Sequence, residues 1–221
     1  LPCMDNDNYR RDIKTIHYKY GVDNAYLVSG FLISQVLKLI NENIDDIKSK
    51  FSEDYVNEIK EKILNNYLIN YNIAILGQYV DIYPLKVASE QNISFVGQIK
   101  EEYLRKIILD KTAPFFEISF VSSYLLSGGT LQNYEEIREI SQLFGIIFQI
   151  SDDFEDQKQD INKSCKSLVQ NYVIVIGKEK AFRDFEKLKN ILIMKMKKLQ
   201  LYSKLFIEIL NYLTERVETY K

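Results

Sequence analysis

Apolar residues recur every three to four positions over seven long stretches of the chain, at 23–43, 54–82, 98–110, 113–127, 132–158, 178–199 and 202–219. That spacing lines one side of an α-helix, so each stretch is predicted to be helical. The breaks fall on residues that stop helices: Pro84 after Tyr83, the pair Gly128-Gly129, and Gly177 before Lys178. Ser52 is followed by Glu53 and Asp54, acids that suit the positive end of the helix dipole, although Tyr55 stands where a full capping box would have Glu or Gln. Thr112 is placed to cap a helix whose first turn holds Pro114, a position that tolerates proline. The stretch Ile140 to Ile150 (I-S-Q-L-F-G-I-I-F-Q-I) is apolar on nearly all sides and is predicted to be buried. With no internal repeat and no low-complexity linker, the pattern predicts one all-α domain over residues 1–221.

Composition agrees with that reading. Only 8 Gly and 3 Pro occur among 221 residues, and 46% of the chain is hydrophobic, a balance that favours long helices over a many-stranded sandwich. A net charge of -2 argues against a general nucleic-acid binder, which needs a basic surface, and Lys195-Met196-Lys197-Lys198 reads as one solvated helix face. Cys3 and Cys165 have neither metal nor redox spacing, so a reducing compartment is the default. With His17 as the single histidine, zinc lacks a ligand set. No apolar run reaches transmembrane length; the one from Ala25 stops at Lys38. The chain opens at Leu1 without Met and shows no secretory leader, so the compartment is open, and the expectation is a piece of a longer protein.

The chemistry concentrates in Gln149 to Asp156, Q-I-S-D-D-F-E-D. On a helix, Asp152 and Asp156 are four apart and Asp153 and Asp156 three apart, so the three carboxylates are expected on one face with Gln149 a turn earlier. Like charges at such spacings cost roughly 0.2–0.5 kcal/mol per pair. Carboxylates emerging together from an apolar helix call for cations, and oxygen-only ligands favour Mg2+ or Ca2+. The opening L-P-C-M-D-N-D-N-Y-R-R places further acids ahead of Arg10-Arg11, a combination suited to a phosphorylated ligand held partly through metal.

Together these segments resemble the trans-isoprenyl diphosphate synthases, the farnesyl and geranylgeranyl diphosphate synthase family, and most of all the geranylgeranyl type. Leu1 to Arg11 is similar to the family's first aspartate-rich motif, D-D-L-P-C-M-D-N-D-D-L-R-R, without its leading two Asp. Phe148 to Asp156 resembles the second, F-Q-x-x-D-D-x-x-D. Between them Gly77 to Asp81 (G-Q-Y-V-D) and Lys111 to Ala113 (K-T-A) match G-Q-x-x-D and K-T-[AG] in order, and Asn162 to Ser164 resembles the lysine segment that follows. The resemblance extends from Leu1 to about Gly177.

It implies an isoprenoid synthase fold, a bundle of long helices around a central cavity, and a head-to-tail condensation of isopentenyl diphosphate with an allylic diphosphate. It also implies Mg2+, three ions to a site, and a homodimer. Residue by residue, Asp5 matches a metal ligand of the first motif, and Asp152 the leading ligand of the second, with Asp153 and Asp156 close by or bridged by water. Arg10 matches a contact to the allylic diphosphate and Arg11 one to isopentenyl diphosphate. Lys111 and Lys163 match lysines on the allylic diphosphate. Thr112 and Gln149 match groups whose oxygens face the developing cation. Gln78 and Asp81 would line the cavity and position Lys111, and Phe148 would lie beside the isopentenyl site. Phe115, Phe116, Phe120 and Tyr124 read as core, and His17 as structural.

Several departures bear on this. The first two Asp of the first motif, the upstream helices and the G-G-K-x-x-R segment are not in the sequence. Gly30 stands where the family often has Asp. The lysine that often precedes the family's aromatic-Pro turn has no clear counterpart near Gln170-Asn171-Tyr172. A non-catalytic subunit of a heteromeric synthase is the alternative; the intact Asp152-Asp153-x-x-Asp156 speaks against it. A terpene cyclase would carry N-x-x-x-[ST]-x-x-x-[DE] instead and would lack the paired arginines.

Overall fold

The computed structural model describes residues 2, 4, 6–10, 12–83, 101–163 and 171–221, with the side chains of 159, 162 and 163 excluded. The chain divides into two compact units, Leu1–Leu64 and Asn65–Lys221. The first opens with a ribbon of two short strands, β1 (Tyr9–Arg10) and β2 (Ile13–Lys14), paired antiparallel with Tyr9 opposite Lys14 and Arg10 opposite Ile13. Asp12 takes the left-handed conformation (φ 62°) that closes the turn. The Thr15 hydroxyl donates to the Asp7 carbonyl at 3.0 Å and fixes the exit into α1 (Ile16–Tyr20). Gly21, at φ 93°, joins α1 to α2 (Val22–Ile47). On α2, Ile40, Ile44 and Ile47 are buried; on the following helix α3 (Glu53–Ile82), Val56, Ile59 and Ile63 are buried. Ser52 caps α3, its hydroxyl accepting from Tyr55 N at 3.4 Å.

The second unit continues with α4 (Glu101–Lys111), α5 (Ala113–Leu126), a 3-10 turn (Leu131–Asn133), α6 (Tyr134–Glu155), α7 (Gln157–Lys163), α8 (Tyr172–Ile176), α9 (Lys178–Lys198) and α10 (Lys204–Tyr220). Helix α6 is the axis: α4, α5, α8, α9 and α10 all pack on it. No residue from Ile140 to Ser151 is exposed, as its all-round apolar sequence requires. Ile140, Phe144, Ile147, Ile150 and Phe154 form the spine of the core with Leu104, Phe185, Leu192 and Leu213. Phe116 and Phe120 pack their rings on Phe144 at 5.0 and 5.3 Å. Phe115 departs from its core reading and is exposed.

Every predicted helix is present where residues are described, and Glu53–Ile82 and Ala113–Leu126 start and stop within a residue of expectation. The helix expected to run to residue 158 instead ends at Glu155, with Asp156 as its C-cap (φ -83°, ψ 1°) before α7 restarts. The ribbon, α1, α7 and α8 are too short to leave a periodic trace. Helix α8 is built on its cap: Asn171 Oδ1 accepts from Val173 N and Ile174 N at 3.0 and 3.1 Å. Among the described residues no helix is long and apolar enough to cross a membrane. The break at Pro84, Cys3 and Cys165 lie outside the described residues.

One buried charge ties α3, α5 and α6 together within the second unit. Glu117 on α5 is 2% exposed and accepts from Asn66 and Asn70 Nδ2 (2.9 and 3.0 Å), Arg138 Nε (2.7 Å) and Gln142 Nε2 (2.9 Å). Burial works to raise its pKa, but the bonds from Arg138, Gln142 and Asn70 outweigh that and hold the carboxyl below its ordinary range. Glu117→Ala would strand four donors and is expected to cost about 3 kcal/mol in urea unfolding near neutral pH. Because the folded pKa is depressed, the contribution is complete above the ordinary carboxylate pKa and is lost as pH falls through the folded value. The stability gap between wild type and variant should therefore be flat near neutrality and close in acid; a gap unchanged by acid would contradict the assignment.

Candidate active site

The site is organised around one helix-to-helix joint, Lys111-Thr112-Ala113, where α4 ends and α5 begins. Two glycines let other helices close on it. A Cβ on Gly77 of α3 would lie 2.4 Å from the Asp110 carbonyl carbon and 2.6 Å from Lys111 N. A Cβ on Gly145 of α6 would lie 2.7 Å from Ala113 Cα. Both are shorter than any side chain allows, so α3 and α6 reach the joint only because neither residue carries a Cβ.

One helical turn beyond each glycine, a polar side chain meets the joint. Four residues after Gly77, Asp81 Oδ2 accepts from Lys111 Nζ at 2.5 Å. Four residues after Gly145, Gln149 Oε1 accepts from the Thr112 hydroxyl at 2.8 Å. Thr112 is the N-cap residue of α5, with Pro114 in the first turn as expected, but its side chain makes no capping bond. Its hydroxyl proton is committed to Gln149. The Gln149 amide then donates from Nε2 to Asp153 Oδ1 at 2.8 Å, and Asp153 Oδ2 accepts from Tyr172 N at 2.7 Å. A single hydrogen-bonded line thus runs from the joint through α6 to the start of α8. It fixes the Gln149 amide with its oxygen towards Thr112.

The three aspartates do not share one face, and this corrects the expectation from spacing. Asp153 turns inward and is 6% exposed; burial, above all, pushes its pKa up to about 7 against the bonds from Gln149 and Tyr172. Both of its oxygens are engaged within the protein, so its place here is to orient Gln149. Asp152 and Asp156 are half-buried at the end of α6, Asp156 N donating to Asp152 O at 3.0 Å. The Asp156 carboxyl has a raised pKa because of burial and then the charges of Asp152, Asp160 and Glu155; Arg216 on α10 acts against them. Arg216 Nη2 donates to Asp152 Oδ1 at 2.6 Å and also pairs with Glu155. Among the described residues no three His, Cys, Asp or Glu side chains converge to hold a metal ion.

The remaining candidates fall as follows. Gln78 and Phe148 are half-buried in the second unit, the Phe148 ring 5.2 Å from Phe116. In the first unit Arg10 lines a cavity of about 480 Å³ with Lys14, His17, Thr15 and the apolar Ile13, Val28 and Leu32. His17, read as structural, is half-buried there with Nε2 3.5 Å from the Thr15 hydroxyl. Asp5 and Arg11 lie outside the described residues, as does the side chain of Lys163 at the end of α7. Sequence reasoning missed Arg216 and Asn171. Asn171 donates to the Asp153 carbonyl at 2.8 Å and to Asp160 Oδ2 at 2.9 Å, pinning α8 to the end of α6. An Asn immediately before the run Tyr172 to Ile176 was the available signal for it; Arg216 had none.

Comparison with known proteins identifies the family and the fold. The polyprenyl synthetase family matches residues 3–204. The chain is 31% identical over 200 residues to geranylgeranyl pyrophosphate synthase 4 of Arabidopsis thaliana, covering 86% of this chain and 49% of that one. It is 26% identical over 220 residues to a trans-prenyltransferase of African swine fever virus, covering 98% and 57%. Among solved structures, the Helicobacter pylori geranyltransferase complexed with magnesium and isoprenyl diphosphate superposes with a TM-score of 0.68 at 25% identity, over 99% of this chain and 68% of that one. The Thermotoga maritima geranyltranstransferase gives 0.71 at 21% identity, over 99% and 70%, a likeness of fold alone. The chain belongs to the polyprenyl synthetase family, and its all-α architecture is the expected isoprenoid synthase fold. It spans about half the length of the curated relatives it matches.

The two glycine contacts generate a direct expectation. Gly77→Ala and Gly145→Ala each force a methyl into backbone and should cost about 1–3 kcal/mol despite the better helix propensity of alanine. Urea unfolding checks this; an alanine variant as stable as wild type would show that the helices do not depend on the close approach.

Proposed function

We propose that this protein is a Mg2+-dependent prenyltransferase that condenses isopentenyl diphosphate with an allylic diphosphate to give a prenyl diphosphate five carbons longer, of geranylgeranyl or similar length. The observation that carries the reading is the Thr112–Gln149 hydrogen bond, which joins the Lys111 joint to the acidic end of α6. It brings a fixed ammonium, two fixed oxygens and carboxylates onto neighbouring turns. The names of the relatives from Arabidopsis thaliana and African swine fever virus support it.

The residues present fit a magnesium site. Asp152 and Asp156 offer oxygen only and lie half-buried one turn apart at the end of α6, and such carboxylates suit Mg2+. In this reading Asp152 and Asp156 would hold Mg2+, with Asp5 as the metal ligand expected of the first motif. Bound there, the metal would neutralise the diphosphate as it leaves. Lys111, held by Asp81, donates to the allylic diphosphate; Lys163, Arg10 and Arg11 keep the diphosphate-binding roles that the family resemblance implies. The allylic C–O bond breaks with its electron pair leaving on the diphosphate. Thr112 has committed its proton to Gln149, so its lone pairs face the carbocation with the Gln149 oxygen. Asp153 keeps that oxygen in place. The double bond of isopentenyl diphosphate, beside Phe148, attacks the cation, and loss of a proton completes the product. Apolar helices around the site keep water from quenching the cation.

We further propose a homodimer. On α3, Leu68, Ile69, Ile75, Leu76 and Tyr79 form an exposed apolar stripe at helical spacing, a face that suits a second copy. The reading as a non-catalytic subunit is disfavoured, because Lys111, Thr112, Gln149 and the second acidic motif are all assembled.

With Mg2+, radiolabelled isopentenyl diphosphate and dimethylallyl, geranyl or farnesyl diphosphate, the protein should form longer prenyl diphosphates; no product from any primer would contradict the proposal. Asp152→Ala should abolish turnover while leaving the circular dichroism spectrum intact. Lys111→Ala should raise KM for the allylic substrate about tenfold or more, and unchanged kinetics would remove Lys111 from the diphosphate site.

A further inference from the structure

Arg216 lies near the end of α10, 64 residues from the aspartate it touches. Its Nη2 donates to Asp152 Oδ1 at 2.6 Å and pairs with Glu155 as well. The side chain is 14% exposed, and its Nε is buried without a hydrogen-bond partner. A guanidinium so placed has given up much of its hydration and depends on these two acids for compensation. It is delivered there by packing. The Ser151 hydroxyl donates to the Leu213 carbonyl at 3.3 Å, and Leu213 and Val217 are buried on either side of Arg216. Ser151 adjoins Asp152, so the clamp between α10 and α6 lies within a turn of the ion pair.

A fixed positive charge at this point has two consequences. Without metal it offsets the repulsion among Asp152, Glu155 and Asp156. With metal it opposes a second cation approaching the same carboxylate, since like charges a few ångströms apart repel even at high effective dielectric. We infer that Arg216 is a built-in counter-ion for the second acidic motif: it holds Asp152 while metal is absent, yields Asp152 and keeps Glu155 when Mg2+ binds, and lowers the affinity for Mg2+ alone. Metal then binds well only together with a diphosphate, whose negative charge outweighs Arg216. The inference rests on the magnesium reading of Asp152 and Asp156 proposed above.

Calorimetric titration of the protein with Mg2+ alone, and with Mg2+ plus inorganic diphosphate, tests it. Arg216→Gln is expected to bind Mg2+ alone about tenfold more tightly than wild type, the effect of removing one unit charge next to the divalent ion. It should also unfold at lower urea concentration when metal is absent. Arg216→Lys, which keeps the charge and loses the fork, should bind Mg2+ within about threefold of wild type. Should Arg216→Gln fail to fold, the guanidinium protons of Arg216 in wild type serve instead: their NMR signals should shift and broaden as Mg2+ and diphosphate are added. Equal or weaker Mg2+ binding by Arg216→Gln, a large loss in Arg216→Lys, or guanidinium signals untouched at saturating metal would overturn the counter-ion role and leave the magnesium site standing. No binding of Mg2+ by wild type, even with diphosphate, would overturn both.

Discussion

The candidate site depends on two missing methyl groups. Gly77 and Gly145 let α3 and α6 lie against the backbone of Asp110 to Ala113, at separations no side chain permits. Everything polar in the site follows from that approach by helical arithmetic: Asp81 and Gln149 are each one turn beyond a glycine and meet Lys111 and Thr112 respectively. A joint between two helices is otherwise a poor place for fixed chemistry, because cap residues spend their side chains on the backbone. Here Thr112 is released from that duty and its hydroxyl serves Gln149. Rigid elements hold the groups, so the geometry is set before any ligand arrives.

The acidic end of α6 obeys a different constraint, the accommodation of several negative charges with few cations. The chain divides them. Asp153 is buried, with its pKa raised and both oxygens bonded inside the protein, and it controls the Gln149 amide. Asp152 shares Arg216 with Glu155, and Asp156 is left with the raised pKa expected of a half-buried carboxyl among acids. The helix ends at Glu155 with Asp156 as its C-cap. In the proposed reaction this division has meaning: one aspartate orients the group facing the carbocation, and the others face the metal and the diphosphate.

Much of this was legible in the sequence. Helices such as Glu53–Ile82 and Ala113–Leu126 were written in long apolar periods, and three of the five motifs, G-Q-x-x-D, K-T-A and the second aspartate-rich one, named residues that the fold brings together at the joint. What periodicity could not show was which of two adjacent aspartates points inward. Neighbours on a helix differ by about 100° in direction, and the choice was decided by Tyr172 N, a donor 19 residues away that receives no signal in the local pattern. Arg216 was hidden for the same reason: a single arginine in an amphipathic helix gains meaning only from the carboxylates packed against it. The ribbon at Tyr9–Lys14, which carries Arg10, was too short to alternate visibly. The glycines of G-Q-x-x-D and of the α6 run were visible, but their purpose is a tertiary contact.

The central claim is that Lys111 and the acidic end of α6 act on one and the same diphosphate. A double-mutant cycle for binding of a non-ionisable allylic thiolodiphosphate in Mg2+, measured by calorimetry on wild type, Lys111→Ala, Asp152→Ala and the double variant, tests this most directly. Independent sites add to within about 0.3–0.5 kcal/mol. The double variant is expected to lose much less than the sum of the single losses, because either change already loosens the shared ligand. Fully additive losses would place Lys111 and Asp152 on separate ligands and contradict it.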